Sequence, residues 1–544
     1  MVRGFTRITS SGMAAKIAVS MIVLFFLFKG TYFAVAVPLF DTADEMFHFD
    51  YVYKMYKSEG PPHIFDDGIE EEVFLAAKEA GHWVKEGYAT PQELGVLTSD
   101  LLDSVTWWYK WDISGGHSYE GVQPPLYYLV AAGALLIIPA DKVHDQVVTV
   151  RMVSVLFGIL LIILTYSLGY TLSGIRFVGI CAAAFIAALP AETMIGIRVS
   201  NDIAGQVGVA ALGAFLAWRT FLQPGRKFDV GTLVGAGILL GLAGLAKANA
   251  LPAGIAMCVM FAFIGRASFF SRIGSMITVI GLGFLICGWW YLRNYNMYGD
   301  AIGGEALVRA IYIELPWVAD TLWGALSYHV DLVRELAFQP YLQFLPQTWY
   351  WIPKTLWFLV LSAVIMRLTE GVAVLLWIRI SRYLLSIPTR RFVRSMHMLR
   401  VMFISRLPVP AIWIVVFVVF SLLLSKWVLE HHEVIVLGAG IIFVTSRLQS
   451  LSRPIGKLEL VCVMGLLPAV VSAVYFTMQI GPSSERYLLN GVALLAVLWA
   501  FSVQQMVKER YQAPLVLLTF GGFVALDWGH KMNMLEMLNY RLGN

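Results

Sequence analysis

The sequence predicts an all-α integral membrane protein of about 13 transmembrane helices, with a large first extracytoplasmic loop carrying juxtamembrane helices. Three observations predict it. Hydrophobic residues make up 58% of the 544 and charged residues only 14%, with a mean hydropathy of +0.70, more apolar surface than a water-soluble fold can hide. Apolar runs of roughly 20 residues, the length that crosses a bilayer, recur along the chain. Charges are sorted by region rather than mixed, acidic in one long stretch and basic in another.

Arg3, Arg7 and Lys16 precede an apolar run from about Ile17 to Phe40, so residues 1–40 read as a signal-anchor first span. Ala34-Val35-Ala36 would be the cleavage site of a signal peptide, but the run is long enough to span. Residues 41–120 hold 17 Asp and Glu against five Lys and belong to an extracytoplasmic loop over 41–147. The run at 124–140 has only about 15 apolar residues between Pro124-Pro125 and Pro139, the length of an interfacial or re-entrant helix. It is read as a juxtamembrane helix.

Apolar runs follow near 148–170, 177–196, 203–218, 230–246, 250–265, 273–292 and 354–378, with a second extracytoplasmic loop over 301–353. Further runs near 408–425, 434–446, 459–479, 487–504 and 513–527 complete a C-terminal part over 354–544. Within it Arg379, Arg382, Arg390, Arg391, Arg394, Arg400 and Arg406 occupy 379–406 without an acidic residue, a basic cytoplasmic loop by the positive-inside rule and a surface suited to anionic membrane lipid. The acidic loop outside and the basic loop inside are reconciled when 124–140 does not span. Trp107-Trp108, Trp289-Trp290-Tyr291 and Trp349-Tyr350-Trp351 then fall at the outer interface. Arg367 and Glu370, three apart in an apolar run, are expected to neutralise one another.

With this parity, polar residues from distant segments meet at outer span ends: Asp44, Glu45 and His48; Glu120 and Gln123; Arg198, Asn201 and Asp202; Lys247 and Asn249; Arg293, Asn294 and Asp300; Glu485 and Arg486. Carboxylates and cations together suit glycosyl transfer from a lipid phosphate. A carboxylate takes the proton of the attacking hydroxyl, and cations stabilise the departing phosphate. Nearby carboxylates also favour an oxocarbenium-like anomeric centre. Simpler readings stand beside this one: Arg198 and Asp202 at i, i+4 make an ordinary helix-end pair, and Lys247 can snorkel to the interface. Cys181, Cys258, Cys287 and Cys462 all lie in apolar runs without ligand spacing, so neither disulfides nor a cysteine metal site is expected. No nucleic-acid partner is expected either.

The run Asp44-Glu45-Met46-Phe47-His48 after a first span resembles the DE-x-x-H loop motif of the GT-C class of membrane glycosyltransferases, the protein mannosyltransferase and aminoarabinose transferase-like superfamily. Gln123-Pro124-Pro125-Leu126-Tyr127-Tyr128 is similar to that class's entry to a juxtamembrane helix. Val199-Ser200-Asn201-Asp202, Gly244-Leu245-Ala246-Lys247, Gly288-Trp289-Trp290-Tyr291-Leu292-Arg293-Asn294 with Tyr298-Gly299-Asp300, and Glu485-Arg486-Tyr487-Leu488 follow in the order usual for the class. The resemblance covers about residues 17–300 and a patch near 485.

The resemblance implies a GT-C-like fold, whose membrane module continues over 148–300. It implies inverting transfer from a polyprenyl-phosphate-linked sugar donor to a glycan, lipid or protein acceptor, on the extracytoplasmic face of the cell (inner) membrane. Asp44 and Glu45 would be catalytic, with Asp44 the base, and Lys247, Arg293 and Arg486 would hold the donor phosphate. His48, Glu120, Gln123, Arg198, Asp202 and Asp300 would support them. The chain departs from the class at Asn490, where proline is common, and at Gln123, where histidine is common. A divalent cation stays open, with Asp44, Glu45 and His48 the only candidate ligands. The alternatives are a transporter or flippase of a lipid-linked or polyanionic substrate, which would call for paired helix breaks and mid-membrane charges, and a polysaccharide polymerase or ligase.

Overall fold

The structure is a computed structural model and describes residues 12–40, 44–80, 118–222, 229–264, 269–311, 490–507 and 509–541, with isolated positions between 321 and 471. Among these residues it is mostly helical, and no strand is formed. The first helix, α1, runs Gly12–Ala36; the outer loop adds α2 (Glu45–Tyr56), α3 (Glu71–Glu79), a 3-10 turn at Tyr119–Val122 and α4 (Leu126–Ile137). The membrane part continues with α5 (Val143–Ser173), α6 (Arg176–Ala188), α7 (Pro190–Ile197), α8 (Asp202–Ala217), α9 (Val230–Ala246), α10 (Ala250–Ile264) and α11 (Phe269–Tyr298). Then come α12 (Gly304–Ile311), α13 (Val492–Met506) and α14 (Glu509–Arg541).

Gly12–Ala36, Val143–Ser173, Asp202–Leu222 and Phe270–Tyr298 are long and apolar enough to cross a membrane. The 177–196 run is not one straight span. Pro190 opens α7 straight after α6 ends, and the two helices are bent by 65°, as expected where proline removes a backbone donor. Helix α4 has 12 residues; at ~1.5 Å per residue it reaches about 18 Å, against ~30 Å of hydrocarbon. Its Tyr127 and Tyr128 are buried while Leu136 and Ile137 are exposed. The runs at 408–425 and 434–446, and nearly all of 354–378, lie outside the described residues.

Glycines let α9 and α11 approach closely. A Cβ on Gly237 would meet Leu282 Cβ at 2.5 Å, one on Gly241 would meet Ile286 Cβ at 2.6 Å, and one on Gly244 would meet Cys287 Sγ at 2.9 Å. This small-residue seam, usual between membrane helices, delivers Lys247 to the end of α9.

Two buried cations tie the helices together. Lys29 of α1 donates to Ala187 O (2.8 Å), Thr193 Oγ1 (2.6 Å) and Asp527 Oδ2 (2.8 Å), which joins α1 to the bend between α6 and α7 and to α14. Arg151 of α5 spends all five of its donors. Nε and Nη2 form a two-pronged pair with Glu45 (2.8 and 2.7 Å), Nη1 reaches Ala34 O and Val37 O (3.0 and 2.6 Å), and Nη2 also reaches Pro38 O (2.7 Å). The guanidinium thus satisfies carbonyls that the end of α1 leaves without helical partners and fixes the start of α2 with the geometry only arginine offers. Arg367 is ion-paired to Glu459, a partner its spacing to Glu370 does not suggest; Glu370 lies outside the described residues.

Both members of the Arg151–Glu45 pair are about 2% exposed or less, so removing one strands the other. Arg151→Ala is expected to cost about 3–5 kcal/mol, read as a lowered thermal midpoint of the detergent-solubilised protein. Arg151→Lys, which keeps charge but loses the fork, should recover only part of it.

Candidate active site

The site forms where the start of α2, the 3-10 turn, the segment before α8 and the α9–α10 turn converge. Asp44 precedes α2 with φ 64° and ψ 0°, a left-handed conformation that is uncommon for residues other than glycine but less so for aspartate. It makes no side-chain cap to its own helix; instead its Oδ1 accepts the hydroxyl of Tyr119 at 2.8 Å. Glu45, its neighbour, turns the opposite way. Its Oε1 accepts Arg151 Nε and Val199 N (3.0 Å), and its Oε2 accepts Arg151 Nη2.

One helical turn on, His48 is buried, with Nδ1 2.8 Å from Tyr128 Oη and Nε2 3.5 Å from Glu120 Oε1. Burial pushes its pKa down to about 3, against the opposing pull of Asp44 and Asp202, so the ring is neutral at physiological pH. The network assigns the proton to Nε2, facing Glu120, and leaves Nδ1 to accept from Tyr128. Tyr128 stacks on Tyr51 with centroids 3.8 Å apart.

Asp202 is the electrostatic counterpart. Its Oδ2 accepts Arg198 Nη2 (2.5 Å) and Ser200 Oγ (2.7 Å), while its Oδ1 faces the ammonium of Lys247. Asn201 bridges to Gln123 Oε1 (3.1 Å) and Ala246 O (3.2 Å), linking this segment to the outer loop and to the end of α9. Two cations thus flank one carboxylate at a boundary where charge is poorly screened.

The remaining expected residues separate. Arg293 donates to Gly121 O (3.1 Å), Pro62 O (3.2 Å) and Asn294 Oδ1 (2.9 Å) and lies 4.5 Å over the Trp290 ring, so it clamps two segments of the loop between α1 and α4. Those segments cross closely enough that a Cβ on Gly121 would meet Pro62 O at 2.3 Å. Asp300 accepts the amides of Ile302, Gly304 and Glu305, a cap for α12. Arg486 lies outside the described residues. Asp44, Glu45 and His48 do not converge as metal ligands. Both Glu45 oxygens are spent on Arg151 and Val199, and among the described residues no group of three or more His, Cys, Asp or Glu is placed to hold a metal ion.

Arg151 is absent from the residues the sequence singles out, though it carried a signal as a cation inside an apolar run. Tyr119 and Tyr128 stand in the motif stretch that runs from Tyr119 to Tyr128, but nothing in the sequence gives their hydroxyls the partners Asp44 and His48.

No family model matches the chain, and no curated relative matches it. Solved structures similar to it are glycosyltransferases of the GT-C class, the class the motifs resemble. One is ArnT from Cupriavidus metallidurans bound to undecaprenyl phosphate, at 10% identity and TM-score 0.46, covering 98% of this chain and 78% of that one. Another is the oligosaccharyltransferase of Archaeoglobus fulgidus in the apo form, at 12% identity and TM-score 0.44, covering 94% of this chain and 56% of that one. A third is the S. cerevisiae protein O-mannosyltransferase Pmt1-Pmt2 complex bound to the sugar donor, at 14% identity and TM-score 0.35; the chain spans 38% of it, with 56% of its own length covered.

His48 makes a pH prediction with a definite sign. Its folded pKa lies below that of the unfolded chain, so its contribution is fully present above ~6.5 and is lost as pH falls from there towards about 3. The unfolded chain then binds a proton that the folded one refuses, a slope of ~1.4 kcal/mol per pH unit. Thermal midpoints measured between pH 7.5 and 5 should fall more steeply for the parent than for His48→Asn; parallel lines would contradict the buried neutral ring.

Proposed function

We propose that the protein is a glycosyltransferase that moves a sugar from a polyprenyl-phosphate-linked donor to a glycan, lipid or protein acceptor on the extracytoplasmic face of the inner membrane. On this reading the chain has about 13 spans, and the loop over 41–147 covers a membrane module that continues to residue 300. The observation that carries it is the division of the Asp44-Glu45 pair. Glu45 is consumed by Arg151, whereas Asp44 is held in a left-handed turn by the Tyr119 hydroxyl, in the same cluster as the cation-flanked Asp202.

In the proposed step an acceptor hydroxyl gives its proton to Asp44 as its oxygen bonds to the anomeric carbon. The bond from that carbon to the phosphate oxygen breaks on the opposite face, its electron pair leaving with polyprenyl phosphate, and the configuration inverts. Lys247 and Arg198 stabilise the charge gained by the leaving group, with Arg486 a further phosphate contact from the late motif. Arg293, a further phosphate contact by its motif, also donates to loop carbonyls and so holds the loop over the site. A transporter draws support from the bend between α6 and α7. That bend also sets up the short α7, which ends at Arg198, and so serves the transferase reading equally.

The test is turnover of a panel of radiolabelled polyprenyl-phospho-sugars by purified protein. Asp44→Asn should lose roughly 10²–10⁴-fold in rate, the range for a general base, with its thermal midpoint unchanged. Unchanged turnover would remove Asp44 as base; no turnover by the parent with any donor would remove the transferase reading.

A further inference from the structure

Two amide side chains beside Lys247 are left unused by this scheme. Asn490, just before α13, is 3% exposed, and its Nδ2 meets no acceptor among the described residues. Asn249, two residues after Lys247 in the turn to α10, has both Nδ2 and Oδ1 buried and without partners. Buried amides are nearly always hydrogen-bonded, so groups left open beside a reactive cluster call for a partner that is not part of the chain.

Gly205 brings Asn490 and Lys247 to one place. It lies one turn into α8 from Asp202, and a Cβ there would sit 2.8 Å from Lys247 Cβ and 3.3 Å from Asn490 Oδ1. The missing side chain thus seats the lysine stem and the asparagine against the same point of the helix that carries Asp202.

The donor and acceptor types identify the partner. An ionised phosphate diester only accepts, so it can satisfy the Nδ2 groups but leaves Asn249 Oδ1 open. A sugar hydroxyl both donates and accepts and can complete all three. Charge for the phosphate is already supplied by Lys247 and Arg198.

We propose that Asn249 and Asn490 bind hydroxyl groups of the donor sugar and set which lipid-linked sugar is accepted. This rests on the transferase reading above.

The experiment compares kcat/KM for the best donor of the panel with that for its monodeoxy analogues, in the parent, Asn490→Leu and Asn249→Leu, together with inhibition by sugar-free polyprenyl phosphate. A site built to bond a hydroxyl discriminates against its loss. The parent should therefore reject at least one deoxy donor by roughly tenfold to a hundredfold. A leucine variant should lose a similar factor on the full donor and treat the two donors alike, while polyprenyl phosphate inhibits all three proteins equally. Should a leucine variant unfold, the aspartate variant at that position is used in its place, and a reduced preference is again expected. An unchanged preference in folded, active variants would overturn this assignment alone. Weakened inhibition by polyprenyl phosphate would overturn it in favour of phosphate binding. A parent inactive with every donor would remove the transferase reading and this assignment with it.

Discussion

The guanidinium of Arg151 is the constraint on which the rest of the site depends. Its five donors close on Glu45 and on three carbonyls at the end of α1, so a single side chain from α5 fixes where the first helix stops and where α2 begins. Asp44 lies between those two points. Glu45 passes the constraint on by accepting Val199 N, and Ser154 of α5 reinforces it by donating to Arg198 O at 2.7 Å. The carboxylate, the cations and the turn that carries them are thus held from one buried centre, at a cost in desolvation that complete hydrogen bonding offsets.

That frame separates the carboxylates by environment. Glu45 is neutralised by Arg151, and Asp202 faces two cations. Glu120 lies against a histidine that burial keeps neutral. Asp44 accepts the Tyr119 hydroxyl in the same cluster. In the proposed reaction Asp44 receives a proton and the cations beside Asp202 receive the leaving phosphate, an arrangement that suits a single displacement.

Much of the fold was legible because a bilayer imposes lengths and charge asymmetries that a sequence records directly. The reading of 124–140 as a surface helix rests on its length and flanking prolines, and the helix there, α4, has 12 residues. The break at Pro190 was less visible, since the apolar run continues across it and only the proline betrays the bend. For the site, the motifs name Asp44, His48, Glu120, Asp202 and Lys247, and these lie near one another in the structure. Side-chain commitments were not readable. Glu45 looks equivalent to Asp44 until Arg151 is seen, and nothing near Arg293 in the sequence announces the carbonyls of Pro62 and Gly121 that it contacts. Those partners lie between 106 and 231 positions away in the chain, beyond any local pattern.

The central claim is that Asp44 acts alone as a base in a single displacement. The anomeric configuration of the product, read by NMR after transfer from a donor of defined configuration, tests it most directly. The account predicts clean inversion. Retention would contradict it, because it requires a covalent intermediate on a nucleophile, which a single displacement does not form.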